Sequence, residues 1–136
     1  MSGAKAFFDS NVLIYLTDEE AGKSGPTEDI LANGGVVSVQ VLNEFASVAR
    51  RKVRLGWAET REFLDTFRAT LKVVPLTLET HERGLELAER YTLSVYDGMI
   101  VAAAQLAGCT VLYSEDMHDG LVIDRLTIRN PYRENA

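Results

Sequence analysis

Four acidic side chains stand where an α/β protein does chemistry. Asp9 ends the apolar run 4–8, and Glu44 rides the helical segment after the β-branched run 36–39. Asp97 opens an almost wholly apolar segment, 95–107, and Asp116 closes the run 110–113. In open α/β sheets ligands bind beyond the carboxyl ends of the strands, so these positions gather four carboxylates at one end of one sheet. Three of them also have a plain structural reading. Asp9, followed by Ser10 and Asn11, can cap a helix. Ser94-Val95-Tyr96-Asp97 has the spacing of a capping box, and Asp116 can be a solvated turn residue. Glu44 is harder to place that way. It lies about 60° from Val41 on a helical projection, at the border of the apolar face of Val41, Leu42, Phe45 and Val48. A carboxylate at the edge of a core is costly unless something compensates it.

Four converging carboxylates without basic partners repel one another, and a bound divalent cation relieves the conflict. Oxygen-only donors select a hard ion, Mg²⁺ or Mn²⁺, which keeps several waters and takes up substrate phosphates. The reaction that uses such a set is phosphodiester hydrolysis. One ion activates water and another stabilises the leaving oxygen, while a carboxylate takes the proton. The chain holds 14 Lys and Arg against 20 Asp and Glu, a net charge of −6. That average field makes a poor non-specific nucleic-acid binder, so any nucleic-acid contact must come from a local patch.

The elements that position these acids are legible as an alternation. Strands are expected over 4–8, 36–39, 72–75 and 110–113, with a weak last strand over 126–128 before Pro131. Apolar residues recur at helical spacing through Val12, Leu13 and Leu16, and again over 40–53, 58–71, 77–91 and 95–107. Residues 18–29 are polar, with Gly22, Gly25 and Pro26, and read as a loop leading into a helix near 28–33 that stops at Asn33-Gly34-Gly35. Strands alternating with helices imply parallel crossovers in an α/β sandwich. The helix over 95–107 is apolar on all sides and therefore buried. An acid at its start points into the protein or a cleft.

Arg50, Arg51, Lys52 and Arg54 form the densest positive cluster. Arg51 projects within about 20° of Glu44, two turns on, and could present its guanidinium to a phosphate along a cleft wall. Cations at a helix C-terminus are also favoured by the macrodipole alone. Trp57, Phe63 and Phe67 have the spacing of a core or interface stripe. Gly98 leaves room for metal or phosphate, or else permits a tight helix start. Gly22-Lys23-Ser24 resembles the end of a phosphate-binding loop, but that motif needs glycine where Thr17 stands. His118, two residues past Asp116, reads as a solvated loop histidine, and His81 carries no signal. Cys109 is the only cysteine, which excludes an intrachain disulfide, and it reads as a small buried apolar residue.

The segments bearing the acids resemble those of the PIN-domain nucleases, in particular the VapC-type toxins of bacterial toxin–antitoxin pairs. FFDSNVLIY (7–15) is similar to the family's opening strand and helix, with Asp9 as first ligand and Asn11 beside it. VLNEFASV (41–48) is similar to the segment of the second acid, Glu44, and YDGMIVAAA (96–104) to that of the third, Asp97. LYSEDM (112–117) resembles the closing motif, where Ser114 precedes the fourth acid, Asp116. Asp119 falls where many relatives carry a further acid.

The resemblance implies a single PIN-like domain over 1–136, a three-layer α/β/α sandwich with a mostly parallel central sheet. It implies RNA cleavage dependent on Mg²⁺ or Mn²⁺ held by Asp9, Glu44, Asp97 and Asp116, leaving 5′-phosphate and 3′-hydroxyl ends. Arg51 and Arg54 are the expected RNA contacts. Expected partners are a small antitoxin protein, whose arginine would neutralise the acidic cleft, and a second copy joined through the N-terminal helices. No apolar run reaches the roughly 20 residues of a membrane span, which together with the lone cysteine gives a cytoplasmic expectation.

Two rival functions differ in what they require. A haloacid-dehalogenase-type phosphatase needs a second aspartate two residues past the nucleophile, where Asn11 stands. A non-catalytic interaction domain that kept the fold has no need of all four acids.

Overall fold

The computed structural model describes residues 5–133. Five of the six strands follow the sequence-based expectation. They are β1 (Ala6–Phe8), β2 (Val36–Ser38), β3 (Lys72–Val74), β4 (Val111–Tyr113) and β6 (Leu126–Arg129). Ala4, expected in the first strand, lies outside the described residues. The sixth, β5 (Val122–Ile123), was not expected; it forms a hairpin with β6 across Asp124, whose φ is 55°. Two residues are too few for a periodic signal, and the turn lacks the glycine that usually announces one.

The strands form one sheet in the order β3-β2-β1-β4-β6-β5, parallel throughout except for the β5–β6 hairpin. Register pairs Phe7 with Val36 on one side and with Leu112 on the other. The chain winds outward from β1 to β3, then returns to place β4 on the opposite side of β1. The junction of β1 and β4 is thus a topological switch point, where adjacent connections leave in opposite directions and open a crevice. Short strands suffice because their residues are buried on both faces: Phe7, Phe8, Val37 and Leu112 are fully inaccessible.

Among the described residues six α-helices flank the sheet: α1 (Ser10–Leu13), α2 (Ser24–Leu31), α3 (Val39–Val48), α4 (Trp57–Thr70), α5 (Leu78–Tyr91) and α6 (Val95–Leu106). α2 begins four residues before its expected start, inside the segment read as loop. Pro26 occupies its first turn, where the missing N–H would have no helical partner anyway. The helix expected over 40–53 is not uniform. After Val48 it widens into a π-helical turn, Ala49–Val53, that ends at Arg54 with φ 65°. Phe63 and Phe67 pack on Phe45, whereas Trp57 stays 60% exposed beneath the Arg50 guanidinium, 4.3 Å from its ring centroid. Among the described residues no helix is long and apolar enough to cross a membrane.

α6 is the buried helix that its composition requires, with every residue from Gly98 to Ala104 buried. It lies against α5 at backbone contact. A Cβ at Gly98 would fall 2.4 Å from the Gly84 carbonyl oxygen and 3.0 Å from the Ala88 Cβ. A Cβ at Gly84 would meet Met99 Sδ at 2.5 Å. Gly98 is therefore neither a space for ligand nor a helix-start device, but the contact point of two helices. Replacing it by Ala gains about 1 kcal/mol of helix propensity and incurs about 1–3 kcal/mol of overpacking, more where the obstacle is backbone. Gly98→Ala should lower the urea midpoint with an unchanged denaturant slope. A raised midpoint would return Gly98 to the helix-start role.

Candidate active site

The crevice is built from the ends of β1 and β4, the first turns of α1 and α6, and the later turns of α3. Asp9 follows β1 directly and caps α1: its backbone is extended (φ −78°, ψ 156°), and its Oδ1 accepts the Ser10 N–H at 2.7 Å. Its other oxygen, Oδ2, accepts from Ser114 Oγ at 2.9 Å and from Asn11 Nδ2 at 3.4 Å. Asn11 also donates to Ser114 Oγ at 3.3 Å, and its Oδ1 accepts the Glu115 N–H at 3.1 Å. Asn11 and Ser114 thus stitch the two strand ends together around one carboxylate. The structural reading of Asp9 as a cap is correct, and it does not exhaust the residue: a surface cap has no need to be 4% exposed.

Ser38 starts α3 by accepting the Val41 N–H, which directs the next turn over the crevice. Glu44, on that turn, is half-buried at the border of the apolar face. Its Oε1 accepts from Ser10 Oγ at 3.2 Å and its Oε2 from Gln40 Nε2 at 3.1 Å. Gln40 Nε2 also donates to the Tyr96 carbonyl at 3.1 Å, tying α3 to the start of α6. Gln40 was not expected to take part, although one helical turn before Glu44 is a spacing that makes such pairs. Asp97 sits in the first turn of α6, its N–H donated to Ser94 Oγ at 3.0 Å. Asp116 lies in the loop after β4, on the exposed rim.

All four acids line one cavity of 520 Å³, with Arg51, Lys52 and Glu115 on its wall. Lys52 reaches the wall beside Arg51 from the π-helical turn, one turn on from Val48. Arg54, in its left-handed conformation beyond that turn, does not line the cavity. Neither do Asp119 and His118. Asp119 accepts the Asn130 N–H at 2.7 Å and pairs with Arg133 at 3.4 Å, so its carboxylate belongs to the C-terminal segment. His118 is exposed, as a solvated loop histidine would be.

The electrostatics show that the acids act on one another. Burial pushes the Asp9 carboxyl up to about 7; hydrogen bonds from Ser114 and the Ser10 N–H pull it down, and Glu44 and Asp97 push it further up. Asp97 is likewise raised, first by burial, with Ser94 lowering it and the Asp116 charge raising it. Among the described residues no ion pair involves any of the four acids. A buried carboxylate with acidic neighbours and no counter-charge is a donor set suited to a hard divalent cation. As placed, among the described residues, no three Asp, Glu, His or Cys side chains close on a single point at ligating distance. The acids instead face one shared space.

The family model for the PIN domain matches residues 6–118 of the chain. Among solved structures, a toxin–antitoxin complex from Klebsiella pneumoniae superposes with a TM-score of 0.72 at 23% identity, covering 96% of this chain and 100% of that one. VapC20 of Mycobacterium tuberculosis, described as a Sarcin-Ricin loop cleaving toxin, gives 0.69 at 18% identity over 82% of this chain and 90% of its own. DNA-bound VapBC from Salmonella typhimurium gives 0.68 at 18% identity over 95% and 99%. Among curated proteins none matches in sequence. The switch-point crevice, the acids drawn to it and the match along most of the chain lead to one assignment: the chain belongs to the PIN domain family.

Proposed function

We propose that the chain is a metal-dependent endoribonuclease acting as the toxin of a type II toxin–antitoxin pair. The observation that carries the reading is the convergence of Asp9, Glu44, Asp97 and Asp116 on one cavity whose wall also holds Arg51 and Lys52. A site of this charge would repel RNA phosphates unless a cation were held among the acids. Asp9, Glu44, Asp97 and Asp116 would hold Mg²⁺ or Mn²⁺, which when bound supplies Lewis acidity toward phosphate oxygens and acidifies water. The chain's own groups orient this set. Ser114 and Asn11 hold Asp9 Oδ2, Ser10 and Gln40 hold Glu44, and Arg51 and Lys52 take a neighbouring backbone phosphate. Asn11 is committed to Asp9, Ser114 and Glu115, which disfavours a phosphatase needing an acid at that position.

A protein partner is supported by a second cavity of 440 Å³ that shares Glu44 and Ser47 with the acidic one. Its walls include the exposed apolar side chains of Leu76, Val95 and Tyr96. An antitoxin segment with apolar residues and an arginine could fill both cavities at once, as the toxin–antitoxin relatives would suggest. Among the described residues none of the exposed large apolar side chains lies on α1 or α2, so nothing there favours the dimer expected through the N-terminal helices.

Three outcomes test the reading. Asp97→Asn should remove RNA cleavage beyond the roughly 10–100-fold loss typical of a ligand's supporting group, with an unchanged circular dichroism spectrum. Cleavage by the wild type in excess chelator would sink the metal requirement. Arg51→Ala should weaken RNA binding and flatten the plot of log affinity against log salt by about 0.7, one single-strand phosphate contact; an unaltered slope would leave Arg51 as a helix-end cation.

The third outcome concerns stability. Unfolded Asp9 loses its proton near 3.8, folded Asp9 only near 7. Between these values the folded state binds more protons, so metal-free stability falls as pH rises through the window. At about 1.4 kcal/mol per unit, Asp9 alone contributes at most on the order of 4 kcal/mol. Mn²⁺ binding only the folded cluster should raise Tm, and by more above pH 7 than at about pH 5, where protons compete. A Tm increment independent of pH would remove Asp9 from the ligand set.

A further inference from the structure

Glu115 lines the same cavity as the four acids, yet both of its oxygens are occupied. The Tyr15 hydroxyl donates to Oε1 at 2.5 Å, and Lys23 Nζ donates to Oε2 at 2.5 Å. Lys23 is itself boxed. Its Nζ donates to the Tyr15 oxygen at 3.3 Å and stands 4.6 Å from the Tyr15 ring centroid and 5.1 Å from that of Tyr132. The two rings meet edge to face at 5.1 Å, and the Tyr132 hydroxyl lies 2.6 Å from that of the buried Thr27. Among the described residues Lys23 forms the one ion pair made by any cavity acid, and it pairs with Glu115 and none of the other four. Left free, a glutamate next to Asp116 would be a fifth carboxylate in a space built for four.

We propose that Lys23 is a positioning residue that withholds Glu115 from the metal cluster, with Tyr15 and Tyr132 as the walls that hold the ammonium in place. This rests on the metal-dependent nuclease reading. The Lys23 charge cancels that of Glu115, so a cation entering the cavity meets only Asp9, Glu44, Asp97 and Asp116. The Tyr15 hydroxyl occupies the glutamate's other oxygen. Tyr132, from the C-terminal segment, closes the box and so links that segment to the loop carrying Asp116.

The test is a calorimetric Mn²⁺ titration of the full chain without RNA, alongside cleavage kinetics. Lys23→Met keeps an apolar stem between the rings and leaves Glu115 uncompensated at the cavity wall. It should bind Mn²⁺ about tenfold more tightly and cleave about tenfold more slowly, with KM changed by less than about twofold. A residue that merely braces the fold would weaken both metal binding and cleavage. Glu115→Gln should have the opposite effect on the metal, weakening Mn²⁺ binding because the lysine charge is then unopposed. Combining Lys23→Met with Glu115→Gln should return Mn²⁺ affinity to within about twofold of wild type. Equal or weaker Mn²⁺ binding by Lys23→Met overturns the proposal. If that variant fails to fold, unchanged or tighter binding by Glu115→Gln overturns it instead. A wild-type chain that binds no Mn²⁺, or cleaves RNA in excess chelator, fails the nuclease reading and takes this inference with it.

Discussion

One buried carboxylate sets the terms for the rest of the molecule. Asp9 follows the central strand directly, is almost wholly removed from water, faces Glu44 and Asp97, and among the described residues has no cation paired to it. Burying a charge without a partner is among the costliest acts in a fold, and groups in that position shift their pKa instead of ionising. The fold meets the cost with three neutral donors, the Ser10 N–H, Ser114 Oγ and Asn11 Nδ2. They fix the carboxylate in place without neutralising it. Neutral donors hold the carboxyl in place without supplying a counter-charge, which an arginine at the same place would supply.

The sheet order explains why that carboxylate lies at a meeting point. Because β2 and β4 flank β1 on opposite sides, the segments after β1 and β4 diverge, and the space between them cannot be filled by a crossover. The same order puts α3 and the first turn of α6 over the crevice, and Gln40 joins them by touching both Glu44 and the Tyr96 carbonyl. Gly84 and Gly98 let α5 and α6 approach to backbone contact. That contact lies one residue from Asp97, so helix packing and the placement of this carboxylate are parts of a single constraint. A substitution that spreads these helices would displace Asp97 as surely as one aimed at the acid.

Positive charge is distributed with the same economy. Arg51 and Lys52 lie along the wall where a phosphate could be met, and Lys23 is spent on Glu115. Among the described residues no cation pairs with any of the four acids. Arg51 is steered to the wall by its hydrogen bond to Ser47 at 3.0 Å, and Arg50 is drawn off to the Leu55 carbonyl and the Trp57 ring.

Much of this was legible in the chain itself. The alternation of apolar runs, the apolar surround of residues 95–107 and the places of Asp9, Glu44, Asp97 and Asp116 all follow from local patterns. Hydrophobic periodicity is a property of consecutive residues, so five strands, the buried helix and the places of the acids could be read directly. Tertiary structure alone decided the rest. Nothing near Lys23 announces Glu115, 92 positions away. Gly98 acquires its role only from Gly84 on another helix, and β5 exists only because β6 is there to pair with it. The start of α2 at Ser24 and the π turn at Ala49–Val53 escaped local rules for a related reason. Pro26 and the helical period each allowed more than one backbone path, and packing selected among them. Local sequence determines which groups the chain brings to the site; which of them pair, and which are left to meet a cation, is settled by contacts between residues far apart along the chain.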